Sequence, residues 1–128
     1  MAGELRSVLV VEGDVAMREM LVAQLEEEGI RARPAASAAE ARAALADGDV
    51  SAVLAELDLP DRGAFSLLGE LRGQGRQIPV VLMSAFGSDE AEETACGAGA
   101  FACLAKPFGP DQLLLVLERA WGAPGDVP

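Results

Sequence analysis

Four side chains able to bind ions or exchange protons stand at the ends of short apolar runs. Val8-Leu-Val-Val leads into the acidic turn Glu12-Gly13-Asp14, and Ala52-Val-Leu-Ala leads into Glu56. Pro79-Val-Val-Leu-Met ends on Ser84, and Phe101-Ala-Cys-Leu-Ala ends on Lys106. A continuous apolar run closed by a polar residue is how a strand buried on both faces reads where it meets a ligand-binding edge. In an open parallel sheet the carboxyl ends of the strands gather along one rim, and ligands bind there. Glu12, Glu56, Ser84 and Lys106 are therefore expected to converge on one pocket. The chain has no histidine, so the commonest metal ligand and general base is missing. Cys96 and Cys103 are too few and too unpatterned for a disulfide frame or a zinc site.

Five strand–helix pairs must position these residues. After the first run, Met17, Met20, Leu21 and Leu25 recur at helical spacing, and Gly29 supplies a stop. Ile30-Arg-Ala-Arg-Pro34 reads as a weak second strand, confined to a sheet edge by its proline. Ser37-Ala-Ala-Glu40 is a capping box opening an alanine-rich helix that ends near Gly48. The third strand, Ser51 to Glu56, passes through the loop Leu57-Asp58-Leu-Pro-Asp-Arg-Gly63 into a helix carrying Phe65, Leu67, Leu68 and Leu71. Ile78 to Met83 forms the fourth strand. Ser88 caps a fourth helix, whose inner face has only Ala91, Ala95 and Cys96 to offer. Pro110 opens the fifth helix, with Leu113, Val116, Leu117, Ala120 and Trp121 as its core stripe and Leu115 opposite. The pattern predicts a doubly wound α/β domain over residues 1–121, with 122–128 as a linker or tail.

Length and charge bound the function. A chain of 128 residues, 51% of them apolar, suits one domain with one sheet. No apolar run reaches the ~18 residues of a membrane span, and the N-terminus lacks a signal-peptide layout, so a cytoplasmic protein is expected. A net charge of −11 argues against direct nucleic-acid binding, which needs a basic footprint.

The three blocks Val8 to Asp14, Leu54 to Pro60, and Val80 to Gly87 with Gly99 to Phe108 together resemble a bacterial response-regulator receiver domain. The last of them, with Leu113 to Trp121, is most similar to receivers heading enhancer-binding transcription activators. The resemblance covers nearly the whole chain. It implies a (βα)5, flavodoxin-like fold with five parallel strands in the order 2-1-3-4-5. It also implies a pocket in which two acids after strand one hold Mg²⁺ and an Asp ending strand three accepts a phosphoryl group from a histidine kinase. Ser84 and Lys106 match the family's hydroxyl and lysine, which bind the phosphoryl oxygens.

Other positions depart from that pattern. The acidic pair is Glu12-Gly13, so a direct carboxylate ligand is missing, and magnesium is expected to bind weakly or not at all. The acceptor position is Glu56, which carries its carboxylate one methylene too far out. Phosphoryl transfer relies on positioning and charge neutralisation, so the two changes compound each other. Asp14 reads best as a helix cap and Asp58 as an exposed turn residue, although both border the pocket. The switch position, aromatic in the family, is Cys103, which reads better as a packed thiol than as a redox switch. Ala64 replaces a loop glycine.

The longer Glu56 can reach Lys106 directly, as a charge-assisted hydrogen bond. Such a pair reads either as a lock on an active-like state or as a neutral structural contact. The sequence thus points to an atypical receiver acting as a non-enzymatic interaction module. Its expected surface is formed by helix 4, strand 5 and helix 5, with Leu115 a contact candidate, for a homodimer, a histidine kinase or an output domain. The competing reading is a working phosphoacceptor. A flavin-binding relative is disfavoured, because Glu12-Gly13-Asp14 is acidic where a phosphate needs donors.

Overall fold

The computed structural model describes residues 6–61, 63–85, 93, 94 and 96–122. Along the chain run β1 (Ser7–Val11), α1 (Val15–Glu27), β2 (Arg31–Ala35), α2 (Ala38–Asp47), β3 (Ala52–Glu56), α3 (Ala64–Gly73), β4 (Val80–Ser84), β5 (Ala102–Ala105) and α4 (Pro110–Ala120). The last of these is the fifth helix of the sequence reading. Most of the expected fourth helix, including Ser88, Ala91 and Ala95, lies outside the described residues, as does the tail from 123 to 128. Cys96, expected on an inner face, is exposed. It follows a stretch with too few large apolar side chains to turn it inward.

All five strands pair in parallel in the order β2-β1-β3-β4-β5. The three central strands are buried along their whole length, and the side-chain alternation divides the core into two layers. Val8, Val10, Ala52, Leu54, Val81 and Met83 face α1 and α4, where Leu21, Leu25, Leu113 and Leu117 are fully enclosed. Leu9, Val11, Val53, Ala55, Val80 and Leu82 face α2 and α3. Burying each such leucine contributes about 1.5–3 kcal/mol relative to leaving it in water. Pro34 lies on the edge strand β2, where its missing N–H costs no ladder bond.

The helix boundaries follow local chemistry. Asp14 caps α1 by accepting from the Met17 amide at 2.8 Å, and Gly29 takes φ +78° beyond its end. Ser37 accepts from the Glu40 amide at 3.2 Å, as a capping box requires. Glu40 reaches one residue further back than the motif expects, to the Ala36 amide at 2.9 Å. Met20 and Phe65, expected inside, are 44% and 38% exposed. The true inner stripes are Met17-Leu21-Leu25 and Leu67-Leu68-Leu71, and the outlying members of each apolar set turn to solvent. Trp121 closes the far end, its indole N–H donating to the Ser51 carbonyl at 2.9 Å and its ring lying under Arg6.

Candidate functional site

The parallel register delivers the four polar chain ends to one rim. Val11 pairs with Ala55, Glu56 with Met83 and Ser84 with Ala105, so Glu12, Glu56, Ser84 and Lys106 close four neighbouring strands. Glu12, Glu56 and Ser84 are almost wholly buried, and the Lys106 side chain is 18% exposed. A buried carboxylate is tolerated only when it is paired and hydrogen-bonded. Lys106 supplies that pairing for both acids at once. Its Nζ donates to Glu12 Oε1 at 2.6 Å and also to Glu56 Oε1.

The remaining oxygens are met by backbone. Glu56 Oε2 accepts from the Asp58 amide at 3.1 Å, and Glu12 Oε2 from the Asp14 amide at 3.4 Å. Arg18 Nη1 donates to the Glu12 carbonyl at 2.7 Å and to the Gly13 carbonyl at 3.5 Å. No buried side-chain nitrogen or oxygen among the described residues lacks a partner. Burial by itself lowers the Lys106 pKa, but hydrogen bonds to Glu12 and Glu56 and their attraction outweigh it. The ammonium is held above the ordinary lysine value.

Asp14 and Asp58 border the pocket without lending it their side chains. The Asp14 carboxylate is exposed and spent on the α1 cap, and the Asp58 side chain faces solvent, so each offers the pocket only its backbone amide. The reason is position: Asp14 lies three residues past the end of β1 and Asp58 two past the end of β3, where the chain has already turned outward. Cys103 is half-buried against the layer shared with α2 and α3, and Leu115 is 49% exposed on α4. Ala64 is the first helical residue of α3, and Gly63 before it has φ −94°, so no left-handed conformation is needed there.

Arg18 and Pro60 were not read from the sequence as parts of the site. An ideal Cβ placed on Gly13 would lie 2.8 Å from Pro60 Cγ and 2.9 Å from Cδ. Arg18 lay on a helix whose polar face carried no distinguishing pattern, and Pro60 acts through shape.

The response regulator receiver domain family matches residues 8–118. The chain belongs to that family. This receiver is 35% identical over 112 residues to the transcriptional regulatory protein GltR of Pseudomonas aeruginosa, covering 85% of the chain and 46% of that protein. It is 32% identical over 114 residues to the DNA-binding transcriptional regulator NtrC of Proteus hauseri, covering 89% and 24% respectively. The chain therefore spans less than half the length of these curated relatives. Among solved structures, the receiver domain of Francisella response regulator 1452 superposes with a TM-score of 0.85 at 27% identity, covering 91% of this chain and 96% of that one. NtrX of Brucella abortus, solved with ADP, superposes at 0.83 with 34% identity, covering 91% of this chain and 27% of that one.

Magnesium takes about six oxygen ligands at ~2.1 Å in near-octahedral geometry. The side chains of this receiver, as arranged, do not fit it. Position 13 supplies no carboxylate, Asp14 and Asp58 point their acids away, and the Lys106 ammonium bridges the two that remain. Among the described residues no cluster of three acids, cysteines or histidines is disposed to hold a metal ion.

Proposed function

We propose that this receiver is an atypical one, a non-enzymatic interaction module of two-component signalling whose magnesium-dependent phosphorylation is impaired or absent. The observation that carries the reading is the bridge from Lys106 to both Glu12 and Glu56. Both oxygens of Glu56 are engaged, and a cation already stands between the two acids. The added methylene of glutamate lets residue 56 meet the lysine with no phosphoryl group between them. The bridge would hold the β5–α4 loop by its own lysine, giving the domain one state for a partner to read.

The partner surface proposed is the face that β5 and α4 share with the helix preceding β5, with exposed Leu115 upon it. Its partners would be a second copy, a histidine kinase or an output domain in the cytoplasm. The NtrC and GltR names support a place in transcription regulation. Among the described residues no helix is long and apolar enough to cross a membrane. Incubation with acetyl phosphate and Mg²⁺, followed by intact-mass measurement, tests the reading. No stoichiometric gain is expected. A full phosphoryl mass increment that disappears in Glu56→Ala would overturn it.

A further inference from the structure

A cleft of about 480 Å³ opens at the end of the sheet away from the rim, between the end of α3 and the entries to β4 and β5. Arg72, Arg76 and Gln77 supply its polar wall, and Pro79, Ala100 and Phe101 its apolar one. Among the described residues no carboxylate lines it. Two guanidinium groups thus share a concave surface with no acid beside them, in a chain of net charge −11.

The fold asks different things of the two arginines. Arg72 is a staple. Its Nε and Nη2 donate to the Gly99 carbonyl at 3.2 and 2.9 Å, and its Nη1 to the carbonyls of Arg76 and Ile78 at 2.9 and 3.0 Å. Four of its N–H groups are engaged, which fixes the guanidinium in the cleft wall, while neutral carbonyls leave its charge in place. Tying the end of α3 to the neighbouring turns is reason enough for Arg72.

Arg76 has no such reason. Its backbone amide closes the end of α3 on the Leu71 carbonyl at 3.0 Å. The residue is half-buried, yet its guanidinium donates to no described residue and pairs with no described acid. A cation partly withdrawn from water without a partner is disfavoured, and an anion in the cleft supplies what is missing. Phe101, 46% exposed, leaves much of an aromatic ring uncovered on the same cleft.

We propose that this cleft binds a small planar aromatic carboxylate, its acid taken by Arg76 beside the fixed charge of Arg72 and its ring laid against Phe101 and Pro79. A single negative charge on two oxygens suits one free guanidinium fork. A flat ring suits an uncovered aromatic face. The volume falls among those of small-molecule sites, about 300–1,000 Å³. The cleft shares no residue with the Lys106 rim, so it stands whether or not that rim accepts a phosphoryl group.

Amide proton–nitrogen NMR of the chain titrated with naphthoate tests the proposal. Saturable shifts are expected at the amides of Arg76, Ala100 and Phe101, with a Kd of about 1 mM or tighter. Neutral naphthamide and ring-free acetate should each bind at least about tenfold more weakly. Equal affinity for either removes the charge or the ring from the site and overturns the proposal. Arg76→Gln, whose side chain has no described partner to lose, should weaken naphthoate by about tenfold. Unaltered affinity in that variant overturns the proposal, as does absent binding or a set of shifts centred on another surface. If tetraglutamate moves the same amides and naphthoate does not, the cleft serves an acidic protein segment and the small-molecule assignment fails.

Discussion

Lys106 Nζ lies 2.6 Å from Glu12 Oε1 across the strand-end rim, and the same ammonium serves Glu56. One amine thus satisfies two buried acids that converge from the ends of β1 and β3. The arrangement need not add stability over an apolar core, because desolvation offsets attraction. Removing one partner is another matter. Lys106→Met should cost about 3 kcal/mol by stranding two buried carboxylates, and Glu12→Gln with Glu56→Gln should recover most of that loss. Urea unfolding of the single and triple variants checks both figures. An unchanged midpoint for Lys106→Met would show the bridge to be energetically idle.

The pH dependence follows from the direction of the Lys106 shift. Its folded-state pKa is raised, so its contribution to stability is fully present below the ordinary lysine value of 10.5 and is lost as pH climbs through the raised value. Lys106 is the chain's only lysine, and there is no tyrosine. A fall in melting temperature above pH ~10.5 should therefore be shallower in the Lys106→Met/Glu12→Gln/Glu56→Gln variant than in the parent. Parallel curves would assign the alkaline limb to other groups.

The sole lysine also permits a chemical reading. An amine-acylating reagent has only Lys106 and the chain's N-terminus to modify. Paired and mostly buried, Lys106 should acylate more slowly in the folded chain than in urea. Peptide mapping over a time course measures it. Equal rates in both states would mean that the bridge opens freely.

Asp61 makes a separate pH prediction. Burial raises its pKa, but the amides of Ala38, Ala39, Gly63 and Asp61 itself together outweigh this and hold it below the ordinary carboxylate value. Its anchoring of the loop after β3 is present above that ordinary value and fades as pH falls through the lowered one. Asp61→Ala should increase hydrogen exchange at the Ala38 and Ala39 amides at neutral pH. Unchanged exchange would remove Asp61 from the loop's fastening.

Leu115 tests the proposed surface. Since its side chain is 49% exposed, Leu115→Arg should alter stability by no more than about 0.5 kcal/mol. It should weaken self-association or partner capture, read by sedimentation velocity and pulldown. Unchanged behaviour in both would move the interface elsewhere.

The sheet was legible because its central strands are buried on both faces, and runs such as Val8–Val11 and Val80–Met83 have few other readings. The rim was legible for the same reason, since each run stopped on a polar residue. Pairing of Lys106 with Glu56 follows from side-chain length. Its second bond, to Glu12, depends on how closely the ends of β1 and β3 approach, which no spacing along the chain encodes. The nearness of Pro60 to Gly13 was illegible too. Gly13 reads as a missing ligand, and only the folded loop reveals that Pro60 stands beside it. Met20 and Phe65 misled because an apolar residue at helical spacing is often, but not always, turned inward.

The central claim is that Lys106, and not a metal with a phosphoryl group, joins Glu12 to Glu56. Fluorine NMR of the unaltered protein with beryllofluoride and Mg²⁺ addresses it directly, since this phosphoryl analogue needs both a cation and a well-placed acceptor carboxylate. Only the signals of the free fluoride species are expected. A bound resonance that requires Mg²⁺ and vanishes in Glu56→Ala would contradict it.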